Sequence, residues 1–96
     1  MSAPTPIRAP ARAVTRPSDS AIAGVLAALA DARGAGRSFC PSEAARRLAD
    51  DWRPLMPEVR RVAAGMVAEG VLVATQGGRP ADPLTARGPI RLGRPG

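Results

Sequence analysis

The chain has no histidine, no lysine and no tyrosine, and only one cysteine, one tryptophan and one phenylalanine among its 96 residues. Each absence removes chemistry. Without histidine there is no imidazole base, no Ser-His or Cys-His pair and no histidine-containing metal site. A single cysteine makes neither an intramolecular disulfide nor a thiolate metal cage. Without lysine there is no Schiff base and no Walker-type phosphate loop. The adjacent carboxylates Asp50 and Asp51 fall at an expected helix end, where solvated charge is ordinary. An enzyme is not expected, and no cofactor or metal is implied. No apolar run approaches the roughly 20 residues of a membrane helix. The N-terminus also lacks the apolar core of a secretory signal. The expectation is a cytoplasmic protein with one reduced thiol and no membrane partner.

What remains is rich in arginine, alanine, proline and glycine. All 14 basic residues are arginine, which reads as codon bias in a GC-rich genome rather than as a functional choice. The length suits one domain, and a chain this short needs a compact core. With so few aromatics that core is built from Ala, Val, Leu, Ile and Met.

Residues 1–17 interleave Pro4, Pro6, Pro10 and Pro17 with Arg8, Arg12 and Arg16 and contain no acid. Proline at that density prevents a regular helix, so the stretch reads as a disordered basic arm. A domain over residues 18–93 follows, with 94–96 as a tail. Ser18 is placed to cap a helix, with Asp19 in its first turn. Ile22, Val25, Leu26 and Leu29 form one apolar stripe at helical spacing, and Gly34 and Gly36 end it. Arg37 to Phe39 is short enough for an edge strand. Cys40 to Ala49 is a second helix, with Pro41 at its first position and Glu43 three residues after the cap.

Asp50 to Arg53 reads as a turn, and a third helix runs from about Leu55 to Glu69. It places Leu55, Val59, Val62, Ala63 and Met66 on one side. Val71 to Gln76 is β-rich, Gly77 and Gly78 break it, and Ile90 to Leu92 gives another short strand. The fold class expected is α+β, mainly α. Three helices followed by a small two- or three-stranded β-hairpin with a long tip is the order of a winged helix-turn-helix domain.

Four pieces carry a resemblance: C-P-S-E-A-A-R from Cys40, W-R-P-L-M-P-E-V-R from Trp52, the Val71–Gln76 strand, and D-P-L-T-A-R-G-P-I-R from Asp82. Together they resemble a small bacterial family known as a domain of unknown function, DUF3253, over roughly residues 20–92. The resemblance implies a winged helix-turn-helix fold and brings no activity with it. Gly77 departs from the pattern, where a polar or basic residue is more usual before Gly78, and this removes a charge from the wing.

A helix-turn-helix in a basic chain points first to DNA or RNA. The placement of charge matters more than its total. Between Ser18 and Gln76 seven arginines face seven acids, so the excess lies in the arm and beyond Gly77. Minor-groove arms and phosphate-contacting wings are charged in this way. The candidate nucleic-acid contacts are Arg8, Arg12, Arg16, Arg61, Arg79 and Arg87.

On a helical wheel the outward face of the third helix holds Pro57, Arg61, Ala64, Gly65 and Ala68. Only Arg61 could reach a base edge there, as a bidentate guanine contact. A face so small and plain suits non-specific binding, or alternatively close approach of a protein partner or a second copy. Arg46 and Arg47 precede Asp50 and Asp51 by four residues and are expected to pair with them. Trp52 reads as a core plug between the second and third helices. Arg60 and Arg91, inside the family-like motifs, are expected to hydrogen-bond carbonyls or Asp82 around the wing. Cys40, at a helix start, is a thiol redox switch in a third reading and a packing residue in the simpler one.

Overall fold

Ser18 opens the first helix by the chemistry its position implies. In the computed structural model, which describes residues 16–96, its extended backbone (φ −70°, ψ 162°) leads into α1, Asp19–Arg33. The Ser18 hydroxyl accepts the Ala21 N–H at 3.0 Å, satisfying one of the unpaired donors of the first turn. Ile22, Leu26, Leu29 and Ala30 are buried, while Val25 is only half-buried at the edge of the stripe. Gly34 stops the helix at φ 83°, a conformation that costs a side-chain-bearing residue.

The second helix, α2, spans Pro41–Leu48, with Cys40 as its cap residue. The Glu43 carboxylate accepts the Cys40 N–H at 3.3 Å, so the expected reach back to the cap is present. Ala49 then turns extended (φ −161°, ψ 151°) and ends the helix. A single 3₁₀ turn, Arg53–Leu55, feeds into α3, Met56–Ala68. The third helical segment thus begins two residues earlier than expected, because Arg53 and Pro54 are already wound. Leu55, Val59, Val62, Ala63 and Met66 are all buried, as their spacing predicts.

Four short strands complete the domain: β1 Ser38–Phe39, β2 Val73–Gln76, β3 Arg79–Pro80 and β4 Arg91–Gly93. They form one antiparallel sheet in the order β1-β4-β2-β3. The expected pairing of the last strand with the first half of the hairpin is present, but the sheet has four strands rather than two or three. The reason is local. Gly77 and Gly78 both have positive φ, 60° and 81°, which is the requirement of a two-residue type I′ turn. The chain therefore doubles back at once and adds β3 to the outer side of β2. Gly77 suits this turn. Pro80 lacks an N–H and sits on the sheet edge, where that lack is tolerated.

Register decides what each sheet face presents. Phe39 lies opposite Leu92, and Leu92 opposite Ala74, and these three form the buried row. Ser38, Gly93 and Val73 form the row on one side of it, and Arg91 lies opposite Thr75 on the other. Since successive side chains alternate faces, these residues belong to the outer face. The helices cover the buried row: α1 packs on β1 and β4, and the three helices pack on one another. At Gly93 a Cβ would lie 2.8 Å from the Arg37 carbonyl oxygen. Only glycine lets β4 come that close to the residue leading into β1.

Candidate functional site

Arg60 and Arg61 are adjacent on α3 and are spent differently. Arg60 turns toward the loop between β3 and β4. Its Nη1 donates to the Ala86 carbonyl at 2.8 Å and the Pro83 carbonyl at 3.5 Å, and its Nη2 to the Gly88 carbonyl at 2.6 Å. The loop is also held from within. Asp82 accepts the Leu84 N–H at 2.9 Å on its side chain, and its carbonyl accepts those of Thr85 and Ala86. Gln76, at the end of β2, donates to the Arg87 carbonyl at 2.5 Å and the Pro89 carbonyl at 3.2 Å. The expected long tip is thus a tied loop, with Pro83 buried beneath it.

Arg61 points to the opposite flank of α3. It grips Asp19 with two N–H groups, at 2.7 and 3.0 Å, and Glu58 with two more, at 2.6 and 3.2 Å. The hydrogen bonds from Arg61 hold the Asp19 carboxyl below the ordinary carboxylate range, and the same bonds raise the Arg61 guanidinium further. Arg16 lies 4.0 Å from Glu58. The side chain expected to reach a base edge is therefore surrounded by two carboxylates. Of the other candidate contacts, Arg79 in β3 and Arg87 in the β3–β4 loop are exposed, while Arg8 and Arg12 lie outside the described residues.

Trp52 packs against the core, as expected, but remains half-buried. Its ring lies under two guanidinium groups, Arg46 at 4.7 Å and Arg53 at 4.6 Å from the ring centre, a favourable cation–π arrangement. This corrects the pairing expected for Arg46 and Arg47. Because α2 ends at Leu48, Asp50 and Asp51 leave the helical track and no longer face the residues four positions earlier. Neither pair comes within 4.0 Å, and Arg46 takes the indole instead.

Arg91 also has a structural role, at a different place from Asp82. From the outer sheet face its Nε donates to the Ser38 hydroxyl at 2.9 Å, Nη2 to the Ser38 carbonyl at 2.9 Å, and Nη1 to the Cys40 sulfur at 3.2 Å. Arg33 donates to the same Ser38 carbonyl at 3.2 Å and forms an ion pair with Glu43. That hydrogen bond from Arg33 lowers the Glu43 carboxyl, against a partial burial that raises it. Cys40 is thus a half-buried free thiol beside a guanidinium. Arg33, Gln76 and Arg37 were not singled out by sequence. Their signals are weak: Arg33 and Gln76 act through partners 5 to 13 positions away that follow no helical or strand repeat, and Arg37 has no carboxylate within 4.0 Å.

Among the described residues, carboxylates within 4.0 Å engage Arg16, Arg33, Arg61 and Arg94. Arg37, Arg46, Arg47, Arg53, Arg79 and Arg87 have none and are exposed. No three potential metal-ligating side chains come together among the described residues. No helix there is long and apolar enough to cross a membrane.

These features define, over the described residues, a small α+β domain of three helices on an antiparallel sheet. The chain belongs to the family described as protein of unknown function (DUF3253), whose model matches residues 19–95. No curated protein matches it.

Proposed function

We propose that this chain is a winged helix-turn-helix module that binds nucleic acid electrostatically, without catalysis and without reading sequence. The order α1-β1-α2-α3-β2-β4 with β4 central between β1 and β2 supports the winged-helix assignment, the Gly77–Gly78 hairpin and tied loop being the wing. The observation that carries the binding reading is the contrast in arginine pairing. Arg61 on α3 is neutralised by Asp19 and Glu58, whereas Arg79 and Arg87 on the wing face solvent with no carboxylate within 4.0 Å. Phosphate neutralisation by such arginines needs no base contact and falls steeply with salt. The basic arm adds to it, and the setting is cytoplasmic and bacterial.

Salt-titrated binding to random-sequence duplex DNA tests this reading. The expected result is measurable affinity at about 50 mM salt with a log–log slope of about −2 to −5. Absence of binding at that salt, or a slope near zero, overturns it.

A second reading has its own support. Pairing of Arg61 leaves the face of α3 around Ala64, Gly65 and Ala68 small and nearly neutral, and a Cβ at Gly65 would meet nothing within 4 Å. Homodimerisation through that face predicts a concentration-dependent mass in size-exclusion chromatography that Gly65→Arg abolishes.

A further inference from the structure

The outer face of the sheet carries a second concentration of arginine, distinct from the wing. Arg37, Ser38, Val73, Thr75, Arg91 and Arg94 line a half-open cavity of about 360 Å³. Its origin lies in the register. Ser38, Gly93 and Val73 stand in one cross-strand row, where the Arg37 carbonyl crowds the place that a Cβ of Gly93 would take. The dent lies beside this close approach, which no larger residue at 93 permits, so its wall is built into the sheet.

The charge around this dent is positive and partly pre-set. Arg91 is fixed by three hydrogen bonds to Ser38 and Cys40. A guanidinium has five N–H donors, so about two remain for a ligand. Its orientation is settled before a ligand arrives, which lowers the entropy cost of binding. Arg37 is exposed and has no carboxylate within 4.0 Å. Arg94 has only a loose partner in Asp31, at 3.9 Å. The other acid nearby, Glu43, is held by Arg33. Arg33, Arg37, Arg91 and Arg94 thus outnumber Asp31 and Glu43. The Ser38 hydroxyl accepts from Arg91 and keeps its own proton to donate, and Thr75 adds a second hydroxyl.

We propose that this cavity binds a phosphate group, with Arg37 and Arg94 closing over an anion that Arg91, Ser38 and Thr75 receive from below. Guanidinium forks match phosphate oxygens in geometry as well as charge, which favours phosphate over a spherical anion such as chloride. The phosphate belongs either to a free phosphorylated molecule or to a nucleic-acid strand crossing the sheet. The site does not depend on the wing reading, because it shares none of the wing's arginines.

The test is a titration of the isotopically labelled full chain with inorganic phosphate at constant ionic strength, followed by NMR. Saturable shifts at Ser38, Thr75 and the Arg91 side chain are expected. Binding should weaken about tenfold or more in Arg37→Ala/Arg94→Ala, which removes two charge-assisted partners but none of the hydrogen bonds that hold β1 to Arg91. Thr75→Val, which keeps shape, should weaken it less.

Random duplex DNA in the same buffer separates the two sources. If the double variant loses duplex affinity, a strand phosphate is the ligand. If inorganic phosphate binds and duplex affinity is unchanged by the variant, a free phosphorylated molecule is. Shifts that do not saturate, that chloride reproduces, or that survive the double variant overturn the proposal. Loss of duplex binding in Arg79→Ala/Arg87→Ala with phosphate binding intact assigns the duplex to the wing and leaves the cavity standing.

Discussion

The outward face of α3 and the β3–β4 region, proposed above as a wing, carry the same residue type with opposite consequences. On α3, Arg61 lies between Asp19 and Glu58 and serves to tie the start of α1 to the start of α3. At the far edge of the sheet Arg79 projects from β3, and Arg87 from the β3–β4 loop, whose carbonyls are held by Arg60 and Gln76. A fixed loop with unpaired charge presents that charge at little ordering cost, whereas a paired arginine must first give up its partners. Number of arginines is therefore a poor guide to binding; the partners of each one decide.

The most damaging way to break this comparison is to remove its hinge, Arg60. Arg60→Ala leaves three loop carbonyls without their shared donor and should lower stability by about 2 kcal/mol, measured by denaturant unfolding. Amides of residues 82–89 should lose hydrogen-exchange protection before the helices do. Next comes the wing charge itself. Arg79→Ala/Arg87→Ala should weaken duplex binding about tenfold at low salt and shift the log–log salt slope by about 2 toward zero, with no change in melting temperature. An unchanged slope means that the wing does not meet phosphate.

Smaller effects belong to α3. Arg61→Ala should alter duplex affinity less than the wing variant, since its charge is already offset; a larger loss would reverse the comparison. Its signature should instead appear in acid. Asp19 and Glu43 have folded-state pKa values below their ordinary ones, held there by Arg61 and Arg33. Their contribution is complete above the unfolded carboxylate range near pH 4 and is lost as pH falls through the depressed folded values. Melting temperature measured from about pH 7 down to pH 2 should therefore drop less steeply in Arg61→Ala and in Arg33→Ala than in the parent chain. Exposure of both pairs keeps this the smallest effect.

Much of the fold was legible because it rests on local rules. The Ser18 cap, the Gly34 stop, Pro41 at the start of α2 and the buried faces of α1 and α3 each follow from residues within a few positions of one another. The fourth strand was missed although its signal was present. Gly77-Gly78 is a type I′ turn, but the two residues after it include Pro80, which argues against a strand everywhere except at an edge. The pairing of Arg46 and Arg47 with Asp50 and Asp51 was misread because helical i, i+4 spacing was applied to two acids that lie beyond the end of the helix. Trp52 drew its partner from that early ending. The candidate contacts were found as residue types, but sequence could not rank Arg61 below Arg79 and Arg87.

Composition and short-range periodicity alone specified the helices, their buried stripes, the β-rich C-terminal region and the exclusion of histidine, lysine and intramolecular disulfide chemistry. Tertiary structure decided the rest. Asp19 meets Arg61 across 42 positions of chain, Arg60 meets the β3–β4 loop across 23 to 28, and Arg91 meets Ser38 across 53. Ion pairs and charge-assisted hydrogen bonds act over a few ångströms, so which arginines are spent and which stay free is known only once the chain has brought those distant partners together.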